Sequence, residues 1–197
     1  MSCHAGPNLV EDGLVLALDA GNTKSYPGSG TAWTDLSGKG NDGTLTNGPT
    51  FDSGNGGSIV FDGSNDFVNL GAVQINTASG TIGFWTNLDT NGGRFFGRNG
   101  SFEVRFDGSN KLNLDYGSGT NLVSTRTTWT GTWLYVVITW SQSSNSSTLY
   151  VNNVLDNTGS CGTVSSLTGD LHIGRSSAGG EYIDGKIAVF HSYNRIL

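Results

Sequence analysis

Charge is scarce in this chain: only 13% of its 197 residues are Asp, Glu, Lys or Arg. The ten basic residues are scattered from Lys24 to Arg195, so no cluster exists to neutralise a phosphate backbone. With a net charge of −6, this argues against a nucleic-acid partner and favours a neutral one, glycan or protein. No apolar run approaches the roughly 20 residues that a membrane-spanning helix needs, so no membrane segment is expected. The N-terminal MSCHAGPNLVEDG has neither a basic n-region nor an apolar core, so no secretory signal is read there. Cysteine is limited to Cys3 and Cys161, too few for a disulfide scaffold. They are read as unpaired thiols, and their spacing leaves open whether they meet. Glutamate is confined to Glu11, Glu103 and Glu181.

Helical periodicity is missing too. Gly, Asn, Ser or Thr interrupts every window, and apolar residues recur at spacing two. Yet 35% of the chain is apolar and 10% aromatic, which suffices for a packed core. The 31 glycines then belong to turns. Strands are expected at 14–18, 58–61, 67–70, 81–86, 94–97, 102–106, 111–116, 133–140, 148–151, 171–174 and 186–193. The clearest hairpin is FEVRFDGSNKLNL, where Phe102, Val104 and Phe106 alternate with Glu103, Arg105 and Asp107 about an Asp107-Gly108 turn. The stretch from Ala20 to Gly57 is poor in apolar residues, but Tyr26, Trp33, Leu36, Leu45 and Phe51 mark it as a packed surface excursion. One all-β domain over 13–197, preceded by an arm over 1–12, is the economical division.

The most informative segment is WTGTWLYVVITWSQSSNSSTLYVNNVL, Trp129 to Leu155. Leu134, Val136, Ile138 and Trp140 point one way, and Tyr135, Val137 and Thr139 the other. Both faces are apolar or aromatic, so the strand is covered on both sides, or covered on one and functional on the other. Asn152-Asn153 supplies residues that tolerate positive φ in a tight turn.

Several blocks, in order, carry a resemblance. GLVLALDAGNTKSYPGSGTAWTDLSGKGNDGTL contains a Trp-x-Asp-x-Ser-Gly-x-Gly turn from Trp33 to Gly40; SIVFDGSNDFVNLG, TIGFWTNL, the Trp133 hairpin, LYVNN and GKIAVFHSYNRIL follow. Together they resemble the concanavalin A-like, laminin G-like jelly-roll domains. The resemblance implies a sandwich of two antiparallel sheets, one concave and one convex. Forms with this opening segment are similar to virion proteins of tailed phages, which implies assembly in a host cytoplasm and residence on a particle.

Glucanases of this fold place Glu-x-Asp-x-x-Glu on one strand, and a retaining mechanism needs two carboxylates about 5–5.5 Å apart. Here Glu103-Val-Arg105 puts Arg at the key position, so no catalytic residue is assigned and the domain is read as non-catalytic. His4, His172 and His191 are read as ordinary surface or edge histidines, and neither cysteine has activating neighbours. Asp62-Gly-Ser64-Asn-Asp66 offers alternating oxygens to a hard cation, but it lacks the glycine and distal Glu of a calcium loop. The family's calcium-binding Asp in the last strand is replaced by Ala188. These turn carboxylates are therefore read as caps on backbone N–H groups, and no metal or cofactor is expected.

Two roles remain. Stacking of sugars on exposed aromatics would use Tyr135, Trp85, Tyr116 and Tyr150, with Asn87, Asn113 and Asn152 near in sequence. Of these Tyr135, Trp85 and Tyr116 are the favoured glycan or partner contacts. The alternative is a structural virion protein that packs on other virion proteins or on copies of itself through the N-terminal arm and sheet edges. The assembly role is the first expectation and recognition of a host-surface glycan the second; the two can coexist.

Overall fold

In the computed structural model, the described residues are 9–197 except 74, 76–77, 99–101, 118–119, 164–166, 168 and 177–178. Among them sixteen strands follow in chain order. They are β1 (Leu14–Asp19), β2 (Ala32–Trp33), β3 (Gly43–Thr46), β4 (Thr50–Asp52), β5 (Ser58–Asp62), β6 (Phe67–Asn69), β7 (Ser79–Leu88) and β8 (Arg94–Arg98). The second half holds β9 (Phe102–Phe106), β10 (Leu112–Tyr116), β11 (Thr120–Val123), β12 (Leu134–Ser141), β13 (Ser146–Val151), β14 (Val154–Gly159), β15 (His172–Ile173) and β16 (Asp184–Tyr193). The helical content of the described residues is one 3-10 turn, Gly54–Gly56.

The strands form two eight-stranded antiparallel sheets. The first runs β14-β13-β12-β7-β16-β5-β4, with β1 pairing β16 beyond the end of β5; the second runs β11-β10-β9-β8-β15-β6-β3-β2. Alternation decides their facing. Leu134, Val136, Ile138 and Trp140 of β12 are buried between the sheets, and Tyr135 and Val137 point outward, half-buried. The Asn152-Asn153 turn forms as expected, both residues at positive φ (51° and 64°). Its Asn152 carboxamide oxygen also accepts the Tyr135 N–H at 2.8 Å.

The core is sealed by rings from both sheets. A bulge in β8 shifts the pairing from Arg94↔Arg105 to Phe96↔Val104 and leaves Phe95 as the extra residue. Consecutive residues on a regular strand would face opposite ways. Here Phe95 and Phe96 are both fully buried. Phe95 meets Phe84 of β7 (centroids 4.9 Å) and Phe96 stacks on Phe190 of β16 (5.0 Å). Phe102 then reaches Trp140 (4.9 Å), and Phe106 reaches Trp129 (5.8 Å). Such contacts contribute about 0.5–1.5 kcal/mol each beyond the area they bury.

The structure departs from the sequence reading between Ala20 and Gly57. This stretch is no mere excursion: it supplies β2, β3 and β4, which extend both sheets. At two to four residues each, these strands are too short to show alternation. The hairpin after β9 also differs in detail. The left-handed position falls on Asn110 (φ 60°) rather than on Gly108, because Asp107 accepts the Ser109 and Lys111 N–H groups and so lengthens the turn.

The Trp33–Gly40 turn is held by one carboxylate. Asp35 Oδ1 accepts the backbone N–H of Ala17 and of Ser37 (both 2.9 Å), and Oδ2 accepts the Ser37 hydroxyl (2.6 Å) and the Asn41 N–H (3.0 Å). Burial pushes the Asp35 carboxyl up, but the hydrogen bonds from Ser37, Ala17 and Asn41 outweigh it and hold it below the usual carboxylate range. Asp35→Ala leaves several buried donors unsatisfied and is expected to cost on the order of 3 kcal/mol. Urea unfolding of the variant checks this, and Asp35→Asn should lose less.

Candidate functional site

The outward face of the first sheet is built from three rows of register partners. One row runs Asp19, Val189, Trp85 and Tyr135; the next runs Ala17, His191, Gly83, Val137, Tyr150 and Leu155. A third carries Tyr193 and the ladder Thr81, Thr139, Thr148 and Thr158. The two aromatic candidates Trp85 and Tyr135 are thus direct cross-strand neighbours. Their rings stack at 5.2 Å with planes 30° apart.

Gly83 makes this possible. A β-carbon there would lie 3.0 Å from the Tyr135 hydroxyl, so the tyrosine lies across a position kept bare. Burial raises the pKa of Tyr135, as it does that of Tyr193, so both phenols stay neutral. Trp85 remains 39% exposed. Tyr135 is therefore the backing that fixes the indole, and Trp85 is the more exposed ring of the pair.

An open cavity of about 290 Å3 lies at the end of this row. Trp85, Trp133, Asp19, Asn55 and the Gly56-Gly57 backbone line it, with Ala188 and Val189 at its floor. Asp19 Oδ1 accepts the Gly21 N–H at 2.9 Å, and no bond from a described residue reaches its other oxygen. Ala188 belongs here because β16 bulges between Ile187 and Val189. Two indoles, a carboxylate oxygen and a carboxamide around one opening can stack on a ring and hydrogen-bond hydroxyls. Trp133, Asp19 and Asn55 escaped the sequence reading, because they come from three separate segments that only the fold unites.

The third candidate is corrected. Tyr116 sits on the inner face of β10, 1% exposed, edge-on to Phe102 (5.4 Å), with its hydroxyl accepting from Gln142 (3.1 Å). It is a core aromatic and offers no surface to a ligand. Tyr150 does lie outward beside Val137, 36% exposed. Asn113 is on the opposite sheet, and Asn152 is engaged in its hairpin.

The outward face of the second sheet is polar. Glu103 and Asp115 are cross-strand partners, a carboxylate pairing that strand-by-strand reading does not reveal. Each is held by an arginine, Glu103 by Arg94 and Asp115 by Arg105. Both carboxylates are thus engaged in ion pairs, neither standing opposite a second free carboxylate as a two-carboxylate mechanism requires. Asp62 accepts the Ser64 and Asn65 N–H groups (2.8 and 3.3 Å), and Asp66 accepts the Asp62 N–H (3.2 Å), which is the capping geometry. Among the described residues no group of three metal-ligating side chains comes together. Cys161 is a buried free thiol, whose pKa burial pushes up; Cys3, His4 and the rest of 1–8 lie outside the described residues.

Two antiparallel sheets packed face to face, with an aromatic cleft on one outward face, define a jelly-roll β-sandwich domain. Residues 62–197 match the family described as the concanavalin A-like lectin/glucanases superfamily, and the chain belongs to it. No curated protein matches the sequence. Among solved structures, domain 4 of AbnA, a GH43 extracellular arabinanase from Geobacillus stearothermophilus in complex with arabinotriose, superposes with a TM-score of 0.70. It is 16% identical, and the match covers 91% of both chains. The Trypanosoma rangeli sialidase bound to the inhibitor DANA gives 0.66 at 15% identity, over 99% of this chain and 32% of that one. The botulinum neurotoxin type G receptor binding domain gives 0.62 at 14%, over 94% and 49%. The chain thus spans about a third of the sialidase and half of the neurotoxin domain. At these identities the likeness is one of fold.

His172 differs from the surface histidine expected of it. It is 4% exposed on the second sheet, edge-on to Phe67 (5.4 Å), with Nε2 against Arg175 (3.2 Å). Burial, then Arg175, lowers its pKa to about 4. The folded state therefore binds this proton less readily than the unfolded chain. Stability is full above the unfolded value near 6.5 and is lost as pH falls towards 4, by up to about 3 kcal/mol. Thermal melting of the native chain and of His172→Gln between pH 7 and pH 4 checks this. The variant should show a flatter profile in that window.

Proposed function

We propose that this domain is a non-catalytic, lectin-like module that binds carbohydrate at the Trp85–Trp133 cleft. The observation that carries the reading is the cleft itself, with two indoles, the open Asp19 oxygen and the Asn55 carboxamide around one cavity of about 290 Å3. Aromatic faces favour the apolar C–H faces of sugar rings, while carboxylate and carboxamide groups select hydroxyls. The arginine-paired carboxylates of the opposite sheet support the non-catalytic part. The arabinotriose complex of the AbnA domain, which shares the fold over nearly its whole length, adds support by analogy.

The assembly role on a phage particle stands beside it as a second proposal, with one observation in its favour. Tyr150, Val154 and Leu155 are exposed together on the β13–β14 hairpin, the last two at 69% and 54%. Such residues suit a contact with another virion subunit or a second copy. The arm over 1–12, one of the contacts that expectation invoked, lies mostly outside the described residues.

Trp85→Ala should weaken binding on a glycan array at least tenfold, a change of about 1.4 kcal/mol, while the variant, which loses one ring contact, still folds and melts cooperatively at a somewhat lower temperature. Unchanged binding would overturn the placement of the site. Val154→Asp with Leu155→Asp should reduce self-association in sedimentation, or retention on purified particles, if the hairpin is a subunit contact; a monomer that no particle retains removes that role.

A further inference from the structure

The Trp85–Trp133 cavity does not stand alone. A second hollow, of about 240 Å3, opens beside it, and both share Gly56 and Gly57 as a wall. Phe51, half-buried, gives the second hollow its own aromatic surface and is braced by the buried Tyr26, their rings tilted at 5.4 Å, with Thr23 and Ser53 at the rim.

The dividing wall is bare main chain. A β-carbon on Gly57 would lie 2.8 Å from the Gly21 α-carbon, and one on Gly21 would run into the Gly56 carbonyl oxygen. Glycine is required on both sides of that contact. Gly56 at the crest, with φ at 92°, has nothing within 4 Å of where a side chain would begin. The divide is thus a low saddle with no side chain to block passage.

Size and charge narrow what could lie there. Each hollow alone is at or below the lower end of small-molecule sites, about 300 Å3, whereas the two joined fall within the usual range. Among the residues lining both, Asp19 is the one acidic or basic side chain. No cation is present to receive a sialate, uronate or sulfate, and Asp19 would repel one.

The geometry points to a neutral oligosaccharide that crosses the Gly56–Gly57 saddle and occupies both hollows at once. This rests on the carbohydrate-binding reading above and adds the ligand's class and its minimum length. Two aromatic surfaces take successive sugar units, and the glycine saddle passes the linkage between them. The second contact is then intramolecular, so affinity climbs with chain length until both hollows are filled and levels off beyond.

The test uses the full chain on an array of neutral mono- to hexasaccharides, including arabino-oligosaccharides, with sialylated and sulfated counterparts. Titration calorimetry follows on the binders. Affinity should rise at least tenfold from monosaccharide to the plateau length, and acidic counterparts should bind more weakly. Ser53→Gln, an exposed position at the rim of the second hollow, should abolish the gain with length and leave monosaccharide affinity and melting temperature unchanged. Trp85→Ala should weaken all lengths. Neutral binding that is independent of length, insensitive to Ser53→Gln or stronger for acidic glycans overturns the two-hollow ligand while leaving the carbohydrate-binding reading intact. Absence of binding to any saccharide overturns both.

Discussion

Everything in this domain hangs on the ring contacts that cross between the sheets, and these depend on one irregular residue. Because β8 bulges at Phe95, two successive phenylalanines enter the same core, one against Phe84 and the other against Phe190. Both partners belong to β7 and β16, the central pair of the first sheet. The bulge therefore fixes the second sheet to the strands whose other side carries Trp85, Gly83, Val189 and His191. Packing on the inner face sets the geometry of the outer one. A loss of ring contact in the core would reach the cleft without any substitution near it.

The shape of that outer face arises from subtraction as much as from addition. Gly83 allows a tyrosine to lie flat and brace an indole, and the glycines at 21, 56 and 57 keep the divide between two hollows low. Few charges intrude, in keeping with the composition of the whole chain. Recognition of the proposed neutral glycan on such a surface would rely on shape and on hydrogen bonds to a few fixed oxygens, so ionic strength should matter little to it.

Strand alternation made much of this legible in advance. The facing of β12 and the Asn152-Asn153 turn follow from period-two patterns and turn chemistry, whereas the pairing of Trp85 with Tyr135 is set by a strand register that the sequence does not display. What was hidden had two physical causes. Tyr116 carries the same kind of side chain as Tyr135, and only the packing of β10 on Phe102 and the hydroxyl contact to Gln142 place it inside. Trp133, Asp19 and Asn55 lie far apart in the chain, and β2 to β4 are too short to show any pattern. A site assembled from turns leaves no periodic trace.

The first and last strands of the domain lie side by side. β1 pairs with β16, the Asn194 N–H donates to the Gly13 carbonyl at 2.8 Å, and Arg195 donates to the carbonyl of Asp12 at 2.9 Å. A chain that leaves where it enters can be spliced into a surface loop of a larger protein with short connections and little strain on either fold. The unit is, in engineering terms, a plug: an aromatic face carried on a body whose first and last strands run side by side.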